Sequence, residues 1–386
     1  MKQVVIILLL FTCPIAAWSQ IQLSPQAEIH VLTCGPYQPE LYSAFGHSAV
    51  RVTDPANNID LLYNYGVFDF DQPNFYLNFA RGFLNYKLAL MDYRRFRDFY
   101  IYQNRYIHEQ VLNLTPDQKQ RYFDFLQWNN LPENQYYYYD YFYDNCATRI
   151  RDGLETVFGD SLEFDGSYID TNYTIRDLTD LYLKEQPWGD LGIDLCLGLP
   201  MDSLANPYMY MFLPDYIEQG FDHATLLRNG VRVPLVKDTI VTYESTPEPD
   251  TSSLITPLIV FGTLLLLGII LTIYELKNRR YFRWFDFILF TLVGLVGWLL
   301  FLLWVATDHQ AAARNMNLLW AIPLFFPLSL WLIRGSRPPW LKWFFKFAFF
   351  ALIIVILFWS TFPQDLHNSL VPLVALLALR CWRISR

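Results

Sequence analysis

The sequence predicts an α+β exported domain joined to a C-terminal α-helical bundle of about five transmembrane helices, and three observations carry that reading. The first is the N-terminus, MKQVVIILLLFTCPIAAWSQ. Lys2 precedes an apolar run from Val4 to Phe11, and the small residues Ala17 and Ser19 stand at cleavage-site spacing. The second is composition: the 386-residue chain is 53% hydrophobic and 18% aromatic, with its apolar residues concentrated after residue 253. The third is a change of period, from alternation through the tyrosines before Asp144 to steps of three and four residues after Asn145.

Residues 1–19 read as a removable secretory signal. A lipoprotein signal ending at Cys13 fits less well, because Thr12 is a poor match to the small residue such a signal needs and no polar stretch follows. Residues 20–235 form the exported domain, long enough for one substantial core. Its first strand is AEIHVLTCG (27–35). HSAVRV (47–52) and LLYNYGVF (61–68) then make an antiparallel hairpin across the turn residues of TDPANNID. Residues 94–114 are ambiguous by period. Thr115, Pro116 and Asp117 start a helix that runs to about Trp128. Residues 136–143 alternate as an extended segment, after which Cys146, Ile150, Leu154 and Val157 define a helix capped by Asp144 or Asn145. Residues 236–253, VKDTIVTYESTPEPDTSS, are polar with two prolines and read as a tether.

Within 254–386, five apolar segments can be drawn: 254–276, 284–306, 317–333, 343–360 and 367–380. The first two exceed the roughly 20 residues that span a hydrocarbon core, and the third and fifth are short. Exported N-terminal residues require entry from outside. KNRRYFR (277–283), RGSRPPWLK (334–342) and the tail RCWRISR then fall inside. TDHQAAARN (307–315) and TFPQDLHNS (361–369), with one Arg and no Lys between them, face out. A formal net charge of −8 without a clustered basic face excludes nucleic acid as a partner.

A cysteine in the first turn of a helix has its thiolate stabilised by free N–H groups and by the helix dipole, which marks Cys146 as a candidate nucleophile. Three cysteines remain in the exported part, Cys34, Cys146 and Cys196. A Cys34–Cys196 disulfide would leave Cys146 free, and equally all three are compatible with reduced, buried thiols. Arg149, on the same face as Cys146, is placed either to hold an anion or to pair with Asp152, with Arg151 pairing Glu155, on a solvated face. A base is needed, and the candidates are His30, His47, His108, His223, His309 and His367. His47 opens a strand behind Gly46 and is the best placed. Asn64, counted back from the turn, comes opposite it and would orient the ring, with Tyr63 and Tyr65 close enough to compete. No metal-ligand spacing occurs, and nothing in the sequence calls for a cofactor.

The segments FGHSAVRV, LLYNYGVFDF, DNCATRIRD, PWGDLGIDLCLG, MFLP and DHQAAARNMNLLW together resemble the Bacteroidota lipoprotein N-acyltransferase family, Lnb. The resemblance covers nearly the whole mature chain. It implies an exported domain of the permuted papain-like, lecithin:retinol acyltransferase-like kind, in which histidine precedes cysteine, as His47 precedes Cys146. It also implies a multi-pass protein of the bacterial inner membrane with its catalytic domain in the periplasm. The implied activity is transfer of a fatty acyl group from a phospholipid donor, through a thioester on Cys146, to the N-terminal amine of a diacylated lipoprotein acceptor. His47 would be the base and Asn64 the third member, although relatives often carry histidine there. Arg149, Tyr63, Tyr65, His309 and Asn317 are then candidate substrate contacts, with Asp308, Arg314 and Asn315 at head-group level beside them. A papain-like cysteine amidase or peptidase acting on cell-wall peptides would use the same His47 and Cys146. An aromatic-rich envelope scaffold would need neither.

Overall fold

The computed structural model describes residues 21–68, 72–247, 254–334 and 337–386. The expected signal at 1–19 therefore lies outside the described residues.

The strands β1 (Glu28–Cys34), β2 (His47–Asp54) and β3 (Ile59–Phe68) form an antiparallel meander. The β2–β3 turn is closed by Asp54, whose carboxylate accepts the Ala56 N–H ahead of Asn58 in the left-handed region at φ 52°. Next come α1 (Phe75–Arg81) and β4 (Asn85–Asp92), then α2 (Tyr93–Tyr102) and β5 (Ile107–Leu112), into which the ambiguous stretch 94–114 resolves. The helix α3 (Pro116–Asn129) starts at a reciprocal cap of Thr115 and Gln118 and is followed by β6 (Tyr136–Tyr138) and α4 (Cys146–Phe158). The remainder of the domain is β7 (Leu162–Glu163), α5 (Ile175–Leu183), α6 (Pro187–Cys196), α7 (Pro207–Tyr210), α8 (Pro214–Asp222), β8 (Thr225–Arg228), β9 (Val231–Pro234) and β10 (Val236–Tyr243).

Seven strands make one antiparallel sheet in the order β10-β5-β1-β2-β3-β4-β6, and β7, β8 and β9 make a small second sheet. One face of the large sheet carries Val31, Val50, Val52, Tyr63 and Tyr65 against α3 and α4, which contribute Phe123, Ile150 and Leu154. Leu32, Ala49 and Leu62 on the other face pack beneath Phe96 and Tyr100 of α2. Two expectations change. Residues 236–243, read as tether, are β10, paired to β5 from Val236↔Leu112 to Tyr243↔Ile107. Their polarity belongs to an edge strand exposed to water along most of its length. The tyrosine run is a strand only as far as Tyr138. Beyond it Asp140 turns the chain, its Oδ1 accepting the N–H groups of Phe142 (2.8 Å) and Tyr143 (3.0 Å).

The membrane region contains α9 (Pro257–Asn278), α10 (Arg283–Val305), α11 (Phe325–Ile333), α12 (Pro339–Leu357) and α13 (Val371–Ser385). Among the described residues, α9, α10 and α12 are long and apolar enough to span a bilayer. The third and fifth predicted segments are short helices entered through 3-10 turns at Met316–Leu319 and Asn368–Leu370. Irregular backbone at this depth must be shielded by protein. Gly294 and Gly297 on α10 provide the shield: a Cβ at the first would lie 2.1 Å from the Phe326 nitrogen, and at the second 2.0 Å from the Ala321 oxygen.

Arg380 of α13 is completely buried and joins three helices. It donates to Asp286 Oδ1 (2.6 Å) and Oδ2 (2.9 Å) on α10, and to Glu275 Oε2 (3.0 Å), Glu275 Oε1 (3.1 Å) and Thr272 Oγ1 (2.7 Å) on α9. All of its N–H donors are thereby used.

The two loops predicted to face outward are those that grip the exported domain. The Gly198 N–H donates to the Ala311 oxygen (2.7 Å), Asn315 Nδ2 to the Leu195 oxygen (2.7 Å) and Gln364 Nε2 to the Leu197 oxygen (3.1 Å). The Asp365 N–H reaches Asp202 (2.8 Å), and His367 Nε2 lies 3.0 Å from Asp190 Oδ2. A Cβ on Gly198 would stand 2.0 Å from the Ala313 oxygen. Gly198→Leu is therefore expected to loosen this joint at a cost of about 1–3 kcal/mol, read as lower unfolding stability in detergent together with new protease cleavage within 307–315.

Candidate active site

His47 sits where β2 leaves a tight turn. Gly46 has φ 79°, and a Cβ there would come within 2.8 Å of the Cys34 oxygen, so only glycine lets the chain enter the strand this close to β1. The His47 ring places Nε2 2.6 Å from Asn64 Oδ1. An amide oxygen only accepts, so Nε2 carries the proton and Nδ1 holds the lone pair of the neutral ring. Asn64 reaches the ring diagonally rather than from directly opposite. The ladder pairs Val50 with Tyr63, which puts Asn64 one step on, across from Ala49 and on the same face as His47. The ring lies 6.3 Å from the centroids of both Phe96 and Tyr100, so α2 covers it.

Cys146 begins α4 because Asn145 commits its whole side chain to capping. Its Oδ1 accepts the N–H groups of Ala147 (2.9 Å) and Thr148 (3.0 Å), while Nδ2 donates to the carbonyls of Tyr141 and Phe212, each at 2.8 Å. Thr148 answers by accepting the Asn145 N–H at 2.8 Å. Cys146 is 7% exposed, and its thiol interacts with His47. Burial opposes its ionisation. The His47 charge and hydrogen bond, with the N–H groups of Ser48 and Ala147, outweigh burial and hold its pKa below the ordinary thiol value. For His47, burial disfavours the cation, and Cys146 and Asn64 reverse that and raise its pKa. Both shifts favour a thiolate–imidazolium pair.

The other two exported thiols differ. Burial pushes Cys34 far up and Cys196 up as well, and each is free, so they are not joined in a disulfide. Gly66, at φ 83° within an irregularity of β3, keeps open the space beside Cys146. A Cβ there would lie 3.3 Å from the Tyr139 ring and 3.7 Å from Cys146 Cβ.

Several expected contacts lie elsewhere. Tyr63 and Tyr65 are buried on the opposite face of the sheet, with their hydroxyls bonded to Gln127 (2.9 Å) and Asn129 (2.7 Å), so they are core residues rather than substrate contacts. Arg149 forms a two-pronged pair with Asp144, Nη2 to Oδ2 at 2.6 Å, and lies 4.0 Å above the Tyr137 ring. It fastens the start of α4, and an anionic head group would have to displace Asp144 to reach it. Arg151 pairs with Asp152 rather than Glu155. Asn317 is buried, its Oδ1 accepting the Trp320 indole N–H at 2.8 Å, and it braces the membrane domain. His309 is half-buried beside Gly82 in a small cleft with Leu84, Tyr139 and Phe142. Of the groups that sequence reasoning missed, Gly66 left a signal, a glycine inside a strand pattern. The Ser48 N–H and the α2 cover left none, because each depends on tertiary packing.

Residues 16–180 match the family model described as the Lnb N-terminal periplasmic domain, and residues 249–386 match that of the Lnb transmembrane domain. A search of curated proteins and one of solved structures returned no match.

Proposed function

The chain belongs to the Lnb family, and from that membership we propose that it is a lipoprotein N-acyltransferase of the bacterial inner membrane that carries the acyl group on Cys146. The observation that supports this most is the pairing of Cys146 with His47, which lowers the thiol pKa, on a domain clamped to the outer ends of membrane helices.

In the first half-reaction the Cys146 thiolate attacks the carbonyl carbon of a phospholipid ester. The C–S bond forms, the C–O bond breaks, and the imidazolium gives its Nδ1 proton to the departing lysophospholipid oxygen. In the second, the N-terminal amine of a diacylglyceryl-cysteine attacks the thioester. His47 takes the amine proton as the C–N bond forms, and the thiolate leaves and restores the ion pair. The Ser48 N–H, which helps to lower the thiol pKa, is the donor best placed to receive the oxyanion of each tetrahedral intermediate, and the Ala147 N–H would have to be shared with Asn145 Oδ1 to assist it. Asn64 holds Nε2 at 2.6 Å, which leaves Nδ1 as the nitrogen to serve the sulfur.

Incubation of the purified protein with phospholipid vesicles is expected to yield an acyl-sized mass adduct that hydroxylamine removes and that Cys146→Ser lacks. Transfer to a diacylated lipopeptide without any such adduct would overturn the thioester route.

A further inference from the structure

We propose that α1 and Tyr42 form a membrane-dipping lip through which phospholipid acyl chains pass sideways from the outer leaflet to Cys146; the passage rests on the acyltransferase reading, whereas the dipping does not.

The level of the lip is set by two joints with the spans. At α1, the Asp308 N–H, just beyond the outer end of α10, donates to the Arg81 oxygen at 2.9 Å. Gly82 packs so closely there that a Cβ would lie 3.0 Å from the His309 nitrogen. On the other side, Trp188 Nε1 donates to the Ile255 oxygen at 2.7 Å, at the head of α9. Leu41 abuts the neighbouring Gly189, 2.7 Å from where a Cβ would be. Both edges of the lip are thus tied to the ends of helices that enter the bilayer.

The chemistry of the lip fits lipid. Tyr76 is 81% exposed, Leu77 57%, Phe79 42% and Tyr42 67%. The single charged residue of α1, Arg81, closes the helix and lies 4.9 Å from the Phe83 ring centroid. Clustered apolar and aromatic side chains beside the end of a span belong in the interfacial layer, where tyrosine and tryptophan are enriched. From this edge an unbroken aromatic wall leads inward. Tyr42 meets Phe68 (6.5 Å between centroids), Phe68 meets Tyr86 (5.6 Å) and Tyr86 meets Tyr139 (4.6 Å). The Tyr139 ring then flanks the gap that Gly66 leaves beside Cys146. An acyl chain following this wall avoids exposure to water, which costs about 0.8 kcal/mol per methylene.

The test uses the full chain in vesicles of phosphatidylethanolamine and phosphatidylglycerol containing a phospholipid with a photoreactive diazirine in its acyl chain. In the Cys146→Ser protein, which cannot turn over, irradiation is expected to place lipid adducts on residues 75–81 and on Tyr42. Adducts confined to α9–α13, or cross-links between two copies through α1 in place of lipid adducts, would overturn the lip. With Cys146 intact, the Leu77→Asp, Phe79→Asp double variant is expected to slow thioester formation from vesicles tenfold or more. Iodoacetamide alkylation of Cys146 with the same pH midpoint as the unsubstituted protein, and without labelling of the buried Cys34, shows in the same samples that the site is folded. An unchanged acylation rate would overturn the passage. Lipid adducts on α1 in a protein that neither forms a thioester nor transfers an acyl group would uphold the dipping and remove the acyltransferase reading instead.

Discussion

Replacement of His47 by alanine is expected to slow acylation of Cys146 by about a thousandfold, within the range that a positioned acid–base group contributes. The direction follows from the balance at the sulfur. Burial raises the thiol pKa, and the His47 charge is the largest influence lowering it. Without the imidazole, burial prevails, and the thiolate fraction at neutral pH falls. The same change would remove the proposed proton donor for the lysophospholipid leaving group, so the chemical step should slow beyond what lost ionisation explains. Iodoacetamide alkylation separates the two effects because it needs a thiolate and no proton donor. In the native protein the alkylation rate should rise with pH through a midpoint below the ordinary thiol value. In His47→Ala the midpoint should move upward, and a midpoint left in place would show that the thiol is not paired with this histidine.

The second large effect concerns the membrane domain. Arg380→Met leaves Asp286 and Glu275 charged and fully buried, and is expected to cost about 3–5 kcal/mol, the usual penalty for breaking a buried ion pair from one side. Arg383 still reaches Glu275 at 3.1 Å, so Asp286 bears most of the loss. Unfolding in detergent measures it. Replacing Asp286 as well by leucine, with Glu275 kept as the partner of Arg383, should recover much of the stability, since the buried position of Asp286 then needs no counter-charge. Failure of the combined variant to recover would point to a requirement for the charges themselves.

What was legible in the sequence was local. The TDPANNID turn gave the β2–β3 hairpin, and Asn145 followed by a three-four repeat gave α4 with Cys146 in its first turn. Those two elements placed a histidine at a strand end and a cysteine at a helix start, and the resemblance to the Lnb family, in which histidine precedes cysteine, singled them out as a pair. Non-local facts were not legible. Asn64 reaches His47 on a diagonal that a count from the turn cannot distinguish from direct opposition. The polar stretch 236–243 reads as linker until β5 is known to offer it an edge. Arg149 chose Asp144 over Asp152 because the Asp140 turn brings Asp144 back beside the helix start, a geometry that no helical spacing encodes.

The grip of loops 307–315 and 361–369 on the end of α6 has a consequence for selectivity. A domain on a loose string samples a volume, whereas one bolted to its spans holds its nucleophile at a constant altitude. On the proposed reaction, Cys146 would meet only those carbonyls that ride at the matching depth in the leaflet. Vertical position would then act as a ruler in that reaction, sorting esters and amines by how far they stand above the hydrocarbon before any side chain has touched them.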